Sequence, residues 1–289
     1  MDRSNGKGFF GGGIFNRGGT LTMSNSIVSG NTASLGREIQ NVSIFTSQGY
    51  NLFGYSGDSG LSGATPLSTD ITPIAALSTL FSALGDYGGP TKTHALLPGS
   101  AAINAGNTAS NTLDQRGKAR VGTADIGAFE SQGFTFVATA GTPQNVTVGQ
   151  AAATPLTVKV TANNAIEPVA GGIVTFTAPN TTTAASFATA VNEATIDASG
   201  IASLAATANT KAGTYNVLAT ANGVTPTQTF ALTNLADVAK NIATTSGAGQ
   251  STTVDTNFAN NLVATVTDKH GNPVKDSTVT FSASGTTAN

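Results

Sequence analysis

Residues 11–35 align with residues 36–60 at an offset of 25, and this repetition restricts the available folds more than any other feature of the chain. Ile14 falls opposite Ile39, Asn16 opposite Asn41, Ile27 opposite Leu52 and Val28 opposite Phe53. Apolar residues come in short bursts, such as Leu21 with Met23 or Ile27 with Val28, separated by Gly, Asn and Ser. Such bursts suit strands of roughly three to five residues joined by tight turns, not helices. A 25-residue unit holding two or three of them is the signature of one coil of a parallel β-solenoid. Asn16 and Asn41 then either hydrogen-bond along the stack, as amide ladders do, or occupy left-handed turn positions. Both readings stay open at the level of sequence.

Residues 61–133 are less regular. Ile74, Leu77, Leu80, Phe81 and Leu84 recur at spacings of three and four after Thr72-Pro73, which predicts a helical segment between Ile74 and Leu84. From Phe134 the pattern changes to period-two alternation. Leu156, Val158 and Val160 alternate with Thr157, Lys159 and Thr161, and Val174 and Phe176 with Thr175 and Thr177. These are half-buried antiparallel strands. The block recurs: Leu156–Thr161 corresponds to Leu262–Thr267, and Val174–Thr177 to Val279–Ser282, at an offset of 105 to 106. That is the size of one immunoglobulin-like sandwich.

Composition narrows the function classes. Only 10% of the 289 residues are Asp, Glu, Lys or Arg, and the net charge is −2, so no basic field awaits a polyanion and nucleic acid is not an expected partner. Cysteine is absent, in keeping with an oxidising compartment and a chain that needs neither staple nor thiol. The first residues lack the basic start and apolar run of a secretory signal, and no stretch of about eighteen apolar residues exists to span a bilayer. Export would therefore make the chain a piece of a longer protein. A second sandwich copy that stops at Asn289, leaving edges and apolar faces open, points the same way.

The ordered blocks GGGIFN, NSIVSGNTA, GYNLFG, LGDYGGPTKTHALLPGSAAINAG, DQRG and ADIGAFE, over residues 8–131, resemble the C-terminal part of bacterial right-handed β-helix proteins. These are the pectate-lyase-like proteins of the choice-of-anchor Q type, related to polymorphic outer-membrane repeats. Asp268-Lys269-His270-Gly271-Asn272-Pro273-Val274, Asp197-Ala198-Ser199-Gly200 and Gly213-Thr214-Tyr215 resemble the turns and late strand of invasin- and intimin-type immunoglobulin-like modules. In the first copy the Gly-Asn-Pro turn is replaced by Ile166-Glu167-Pro168-Val169. The resemblance implies an all-β chain in three parts. A short right-handed parallel β-helix end with its cap covers 1–133, an immunoglobulin-like β-sandwich covers 134–233, and an incomplete second module covers 234–289.

Reactive constellations are sparse. Gly57-Asp58-Ser59-Gly60 echoes a serine-protease nucleophile loop, but both histidines, His94 and His270, follow it in the chain, contrary to the order that fold requires. His94 suits an imidazole bonded to a nearby carbonyl better than a general base, and His270 lies in an exposed turn. Asp114, Arg116, Arg120, Asp125 and Glu130 form the densest charged set. A lyase would need such acids to hold calcium and a base beside them. Their place in the closing blocks instead predicts an Asp114–Arg116 ion pair or turn clamp in a solenoid cap. Gly11-Gly12-Gly13 and Gly88-Gly89 lack the Lys-Ser/Thr of a phosphate-binding loop, and Leu97-Pro98-Gly99-Ser100 is not a sortase signal. Sequons at Asn41, Asn145 and Asn180 matter only in a eukaryotic secretory route.

The reading predicts a non-enzymatic, exported, adhesin-like cell-surface protein with a β-solenoid head on an immunoglobulin-like stalk. It attaches to glycans or to another cell surface, with no cofactor, no metal and no catalytic residue. The rivals are a polysaccharide lyase or hydrolase with accessory sandwiches, and a structural surface-layer or biofilm component.

Overall fold

The computed structural model describes residues 10–107, 112–179, 186–187 and 191–285, so the sequon at Asn180 lies outside the described residues. The architecture is all-β. Among the described residues there are seventeen strands and one four-residue helix, and no helix is long and apolar enough to cross a membrane.

The 25-residue repeat appears as parallel pairing between successive passes of the chain. Strand β1 (Ile14–Asn16) pairs with β4 (Ile39–Asn41), with Ile14 opposite Ile39 and Asn16 opposite Asn41. Strand β3 (Ile27–Val28) pairs with β6 (Leu52–Phe53) in the register the repeat predicts. Between them, β2 (Thr20–Met23) pairs with β5 (Ile44–Ser47) at an offset of 24, because Thr20 faces Ile44. The first pass carries an extra residue in its first turn, Arg17-Gly18-Gly19, against Val42-Ser43 in the second, and gives it back before β3. A third pass adds β7 (Leu61–Ser62) beside β4, with Ile39 opposite Leu61, and a bridge from Leu52 to Ile71. Its offsets have shortened to 22 and 19, which hides it from a fixed-period alignment. Met23, Val28, Ile39 and Phe53 are buried between the passes.

Polar side chains also run along this stack. Asn16 Nδ2 donates to Asn41 Oδ1 at 2.7 Å, and Asn41 Nδ2 donates onward to the Gly63 carbonyl at 2.7 Å. Both residues lie in strands and neither has a positive φ, so the ladder holds and the turn reading does not. A second ladder centres on fully buried Asn51. Its Oδ1 accepts from the Ser26 N–H at 3.0 Å, and its Nδ2 donates to Asp70 Oδ1 at 2.9 Å and Ser47 Oγ at 3.1 Å.

The predicted helix is cut to one turn, α1 (Leu77–Leu80), in which only Leu80 is buried. Ile74 is 91% exposed and Phe81 is already extended at φ −148°. Antiparallel bridges Phe81–Leu96 and Gly85–Thr93 capture the backbone that a longer helix would need. Tertiary pairing overrides the local spacing here.

The segment from Phe134 to Leu235 forms two facing layers. A three-stranded sheet has the order β13 (Ile201–Leu204), β10 (Leu156–Ala162), β8 (Phe134–Ala140). A five-stranded sheet has the order β12 (Val191–Thr195), β11 (Ile173–Thr177), β14 (Gly213–Thr220), β15 (Gln228–Leu235), β9 (Gln144–Thr147). The alternation is realised: Leu156, Val158, Val160, Val174 and Phe176 are at most 1% exposed, while Thr157, Lys159 and Thr161 point away from the core. This core is continuous with the end of the first region, since Leu52, Leu96, Ile103, Ile126 and Phe129 belong to the same buried cluster as Val217 and Phe230.

The second copy reproduces the first as far as it goes. Strand β16 (Asn241–Ser246) pairs with β17 (Val263–Thr267), and Ser246 faces Val263 just as Ala140 faces Thr157, 106 residues earlier. Both pairs carry a register irregularity at the same place. The strand predicted around Val279–Phe281 is not formed. Its counterpart β11 lies between β12 and β14, and among the described residues the second copy has only the β16–β17 pair.

Candidate functional site

Three turns share one local chemistry: Asp114–Gly117, Asp197–Gly200 and Asp268–Gly271. In each the Asp Oδ1 accepts N–H groups two and four residues on. These are Arg116 and Lys118 at 2.8 and 2.9 Å, Ser199 and Ile201 at 2.8 and 2.9 Å, and His270 and Asn272 at 2.8 and 2.9 Å. The glycine has φ between +76° and +82°, the left-handed region that a Cβ disfavours. Asp114, Asp197 and Asp268 are thus turn-forming acceptors first.

The densest charged set converges, but onto itself. Asp114 and Arg116 have fully buried side chains and pair at 2.8 Å. The guanidinium also donates to the Glu130 carbonyl at 2.6 Å and the Tyr87 carbonyl at 3.2 Å, and lies 3.5 Å from the Phe129 ring centroid. Arg120 pairs with Glu130 at 2.8 Å and donates to the carbonyls of Asp125 and Gly127. Asp125 Oδ1 and Oδ2 accept the N–H groups of Asn104 and Ser131. The donors of both arginines are therefore turned inward. Burial, with a smaller contribution from neighbouring Glu130, pushes the Asp125 carboxyl up to about 7 despite those hydrogen bonds and Arg120. A proton shared at neutral pH could serve a general acid, but Asp125 is 1% exposed and its oxygens face the backbone. The arrangement is a packed lock. Among the described residues no group of three or more His, Asp or Glu is placed to hold a metal ion.

Glu167, in the altered turn of the first copy, joins this lock. It is 4% exposed, accepts from Ser131 Oγ and the Gln132 N–H at 3.1 Å, and lies 3.9 Å from Arg116. Burial raises its carboxyl above the ordinary range, against those hydrogen bonds and Arg116. The 105-residue offset pairs Glu167 with Asn272, which reaches back to the Ala212 N–H and Thr210 carbonyl at 3.0 and 2.9 Å. Beside it, fully buried Asp268 caps the Asp237 N–H at 3.0 Å. Hydrogen bonds from Asn272, Asp237 and His270 overcome burial and hold Asp268 down to about 2. Both copies therefore use this turn to grip residues before their own first strand.

A further shared clamp was missed in the sequence. Gln144 Nε2 bridges the carbonyls of Gly141 and Thr154 at 2.9 and 2.8 Å, and Gln250 bridges those of Gly247 and Asn260 at 2.9 and 2.7 Å. The signal was the shared Gly-x-x-Gln at an offset of 106.

The other candidates resolve plainly. His94 Nδ1 lies 2.8 Å from the Ser82 carbonyl, which only accepts, so Nδ1 carries the proton and the carbonyl-bonded reading holds. Gly57-Asp58-Ser59-Gly60 is a turn in which Asp58 caps the Gly60 N–H and pairs with Arg37 at 3.2 Å. Arg37 in turn lies over the Tyr55 ring. No family model, curated protein or solved structure matches the chain.

Proposed function

We propose that the chain is part of a non-enzymatic, exported cell-surface attachment protein. In this reading residues 1–133 are the end and cap of a right-handed parallel β-helix. Residues 134–233 are an immunoglobulin-like β-sandwich, and 234–289 an incomplete second one. More particularly, it is adhesin-like: a repetitive head displayed on stalk modules, engaging glycans or another cell surface from an extracellular position.

One observation carries the reading. The chain's densest ionisable cluster is consumed in internal hydrogen bonds and ion pairs, while one repeated turn position ties each sandwich copy to the unit before it, Glu167 to Ser131 and Gln132 and Asn272 to Thr210 and Ala212. Repeated units whose ends grip each other make a semi-rigid spacer, which suits display and not turnover. The low charge and absence of cysteine are compatible with such a surface.

The test is adherence. The purified chain, fluorescently tagged, is expected to bind glycan arrays or cell surfaces in a saturable way, and to release no product from polysaccharides. Turnover of a polysaccharide that is lost in Asp114→Asn or Asp125→Asn would replace this reading with the lyase or hydrolase one. Failure to adhere to any cell or glycan would leave it without support.

A further inference from the structure

We infer that the cleft between the first stacked pass and the α1–His94 segment is a binding site for a neutral, hydroxyl-rich oligosaccharide. This assignment rests on the attachment reading above and gives it a location and a ligand class.

The cleft has a volume of about 1270 Å³, which is large enough for several sugar rings. Its walls come from six places in the chain: Asn25–Asn31, Leu77–Leu84, Lys92–Leu97, Gln115, Ile126–Phe129 and Ala170. Lys92 apart, the polar side chains offered there are hydroxyls, amides and one imidazole, groups that can both donate and accept, as sugar hydroxyls do. Phe81 and Leu84 supply apolar surface for the C–H faces of a ring, and Leu84 is 56% exposed. With Nδ1 committed to Ser82, His94 leaves Nε2 for a further hydrogen bond at the same wall.

One group at the wall points to a missing partner. Thr93 is 4% exposed, and its Oγ1 is a buried hydroxyl with no hydrogen-bond partner among the described residues. Leaving such a group unpaired costs about 1–3 kcal/mol. The oxygen itself is covered, so a ligand hydroxyl recovers that cost only by parting the side chains over it as it binds.

Charge decides the ligand class. Lys92 is the sole permanently charged residue of the described lining, and no carboxylate contributes to it. The absence of acids disfavours cationic ligands. The nearby guanidiniums that would grip a carboxylate or sulfate bidentately, Arg116 and Arg120, are spent inside the lock. A single exposed Lys at the rim adds little.

The experiment uses the whole chain with neutral hexasaccharides of glucose, mannose, xylose and N-acetylglucosamine, and hexagalacturonate as the charged comparison. Saturation-transfer NMR reads binding, and hydrogen exchange reads protection of residues 77–97. At least one neutral hexamer is expected to bind and to protect that stretch. Thr93→Val should weaken it about fivefold, the loss of one neutral hydrogen bond, without lowering the melting temperature. Leu84→Ser should weaken it as well, while Lys92→Gln leaves it within about twofold. The assignment is overturned if no neutral hexamer binds, if hexagalacturonate alone binds, or if affinity survives both Thr93→Val and Leu84→Ser. Adherence to cells that ignores these two variants refutes the cleft and spares the attachment reading. Hexamer binding by a chain that adheres to no cell does the reverse.

Discussion

Replacing Arg116 with Met tests the lock most sharply. Met keeps the unbranched stem over Phe129 and removes the guanidinium. Asp114 Oδ2 then loses the Nε and Nη2 donors, each at 2.8 Å, and keeps only the Glu130 N–H at 3.0 Å. The carbonyls of Tyr87 and Glu130 lose donors at 3.2 and 2.6 Å, and buried Glu167 loses the cation 3.9 Å away. Breaking a buried pair by removing one partner costs roughly 3–5 kcal/mol. A chain of several units is a poor two-state system, so the assay is hydrogen exchange resolved by peptide. At about 1.4 kcal/mol per decade, protection over residues 112–131 should fall by about a hundredfold or more. Residues 164–169 should lose protection with them, because Glu167 belongs to the same network. Strands β3 and β6, which lie outside it, should change little. Arg116→Lys should fall between, since one ammonium cannot reproduce the fork. A loss below about tenfold in the Met variant, or one confined to residues 112–120, would refute the argument.

Four other outcomes follow from the same structure. Asn51→Ala strands the part-buried Ser26 N–H and part of Asp70, and should lower local stability of the stacked passes by about 1–3 kcal/mol; exchange over 20–53 within a factor of three of the parent would contradict it. Carboxyl NMR should find Asp125 titrating near 7 and Asp268 near 2. The raised Asp125 adds stability that is complete below about pH 4 and is lost as pH rises through 7, whereas the depressed Asp268 adds stability present above about pH 4 and lost as pH falls towards 2; midpoints near 4 for both would sink this. Gln144→Ala and Gln250→Ala should each cost about 1–2 kcal/mol locally and by similar amounts, because each removes the same two-carbonyl bridge; a large effect in one copy alone would break the equivalence. Val263→Lys, at the 44% exposed start of β17, should reduce self-association in light scattering, and unchanged association would show that this edge is not the sticky one.

Sequence spacing reached far into the fold where the period was constant. Ile14–Ile39 and Val28–Phe53 are strand partners because equal pass lengths bring equal residues into register, and Leu156, Val158 and Val160 are buried because a strand alternates its faces. It failed where turns changed length, as for β7 and Ile71, and where pairing overrode helical spacing, as at Phe81. The Asp114–Arg116 pair was legible because the two residues sit in one turn. Glu167's share in the lock was not, because it arrives from 51 residues further on and was read only as a weakened motif. The unpartnered Thr93 hydroxyl had no sequence signal, since pairing of a buried group is decided by its surroundings.

The account stands on successive passes of the chain lying parallel and in register, and the cysteine-free background makes that directly measurable. Thr20 and Ile44 are exposed partners on β2 and β5. Neighbouring strands lie about 4.8 Å apart, within the Cα separation of roughly 4.4–6.8 Å that a disulfide accepts. Thr20→Cys with Ile44→Cys should cross-link quickly under mild oxidation. Thr20→Cys with Thr46→Cys, displaced two residues to about 8 Å, should remain largely reduced. Equal cross-linking of the two pairs, or preference for the second, would contradict the stacked register.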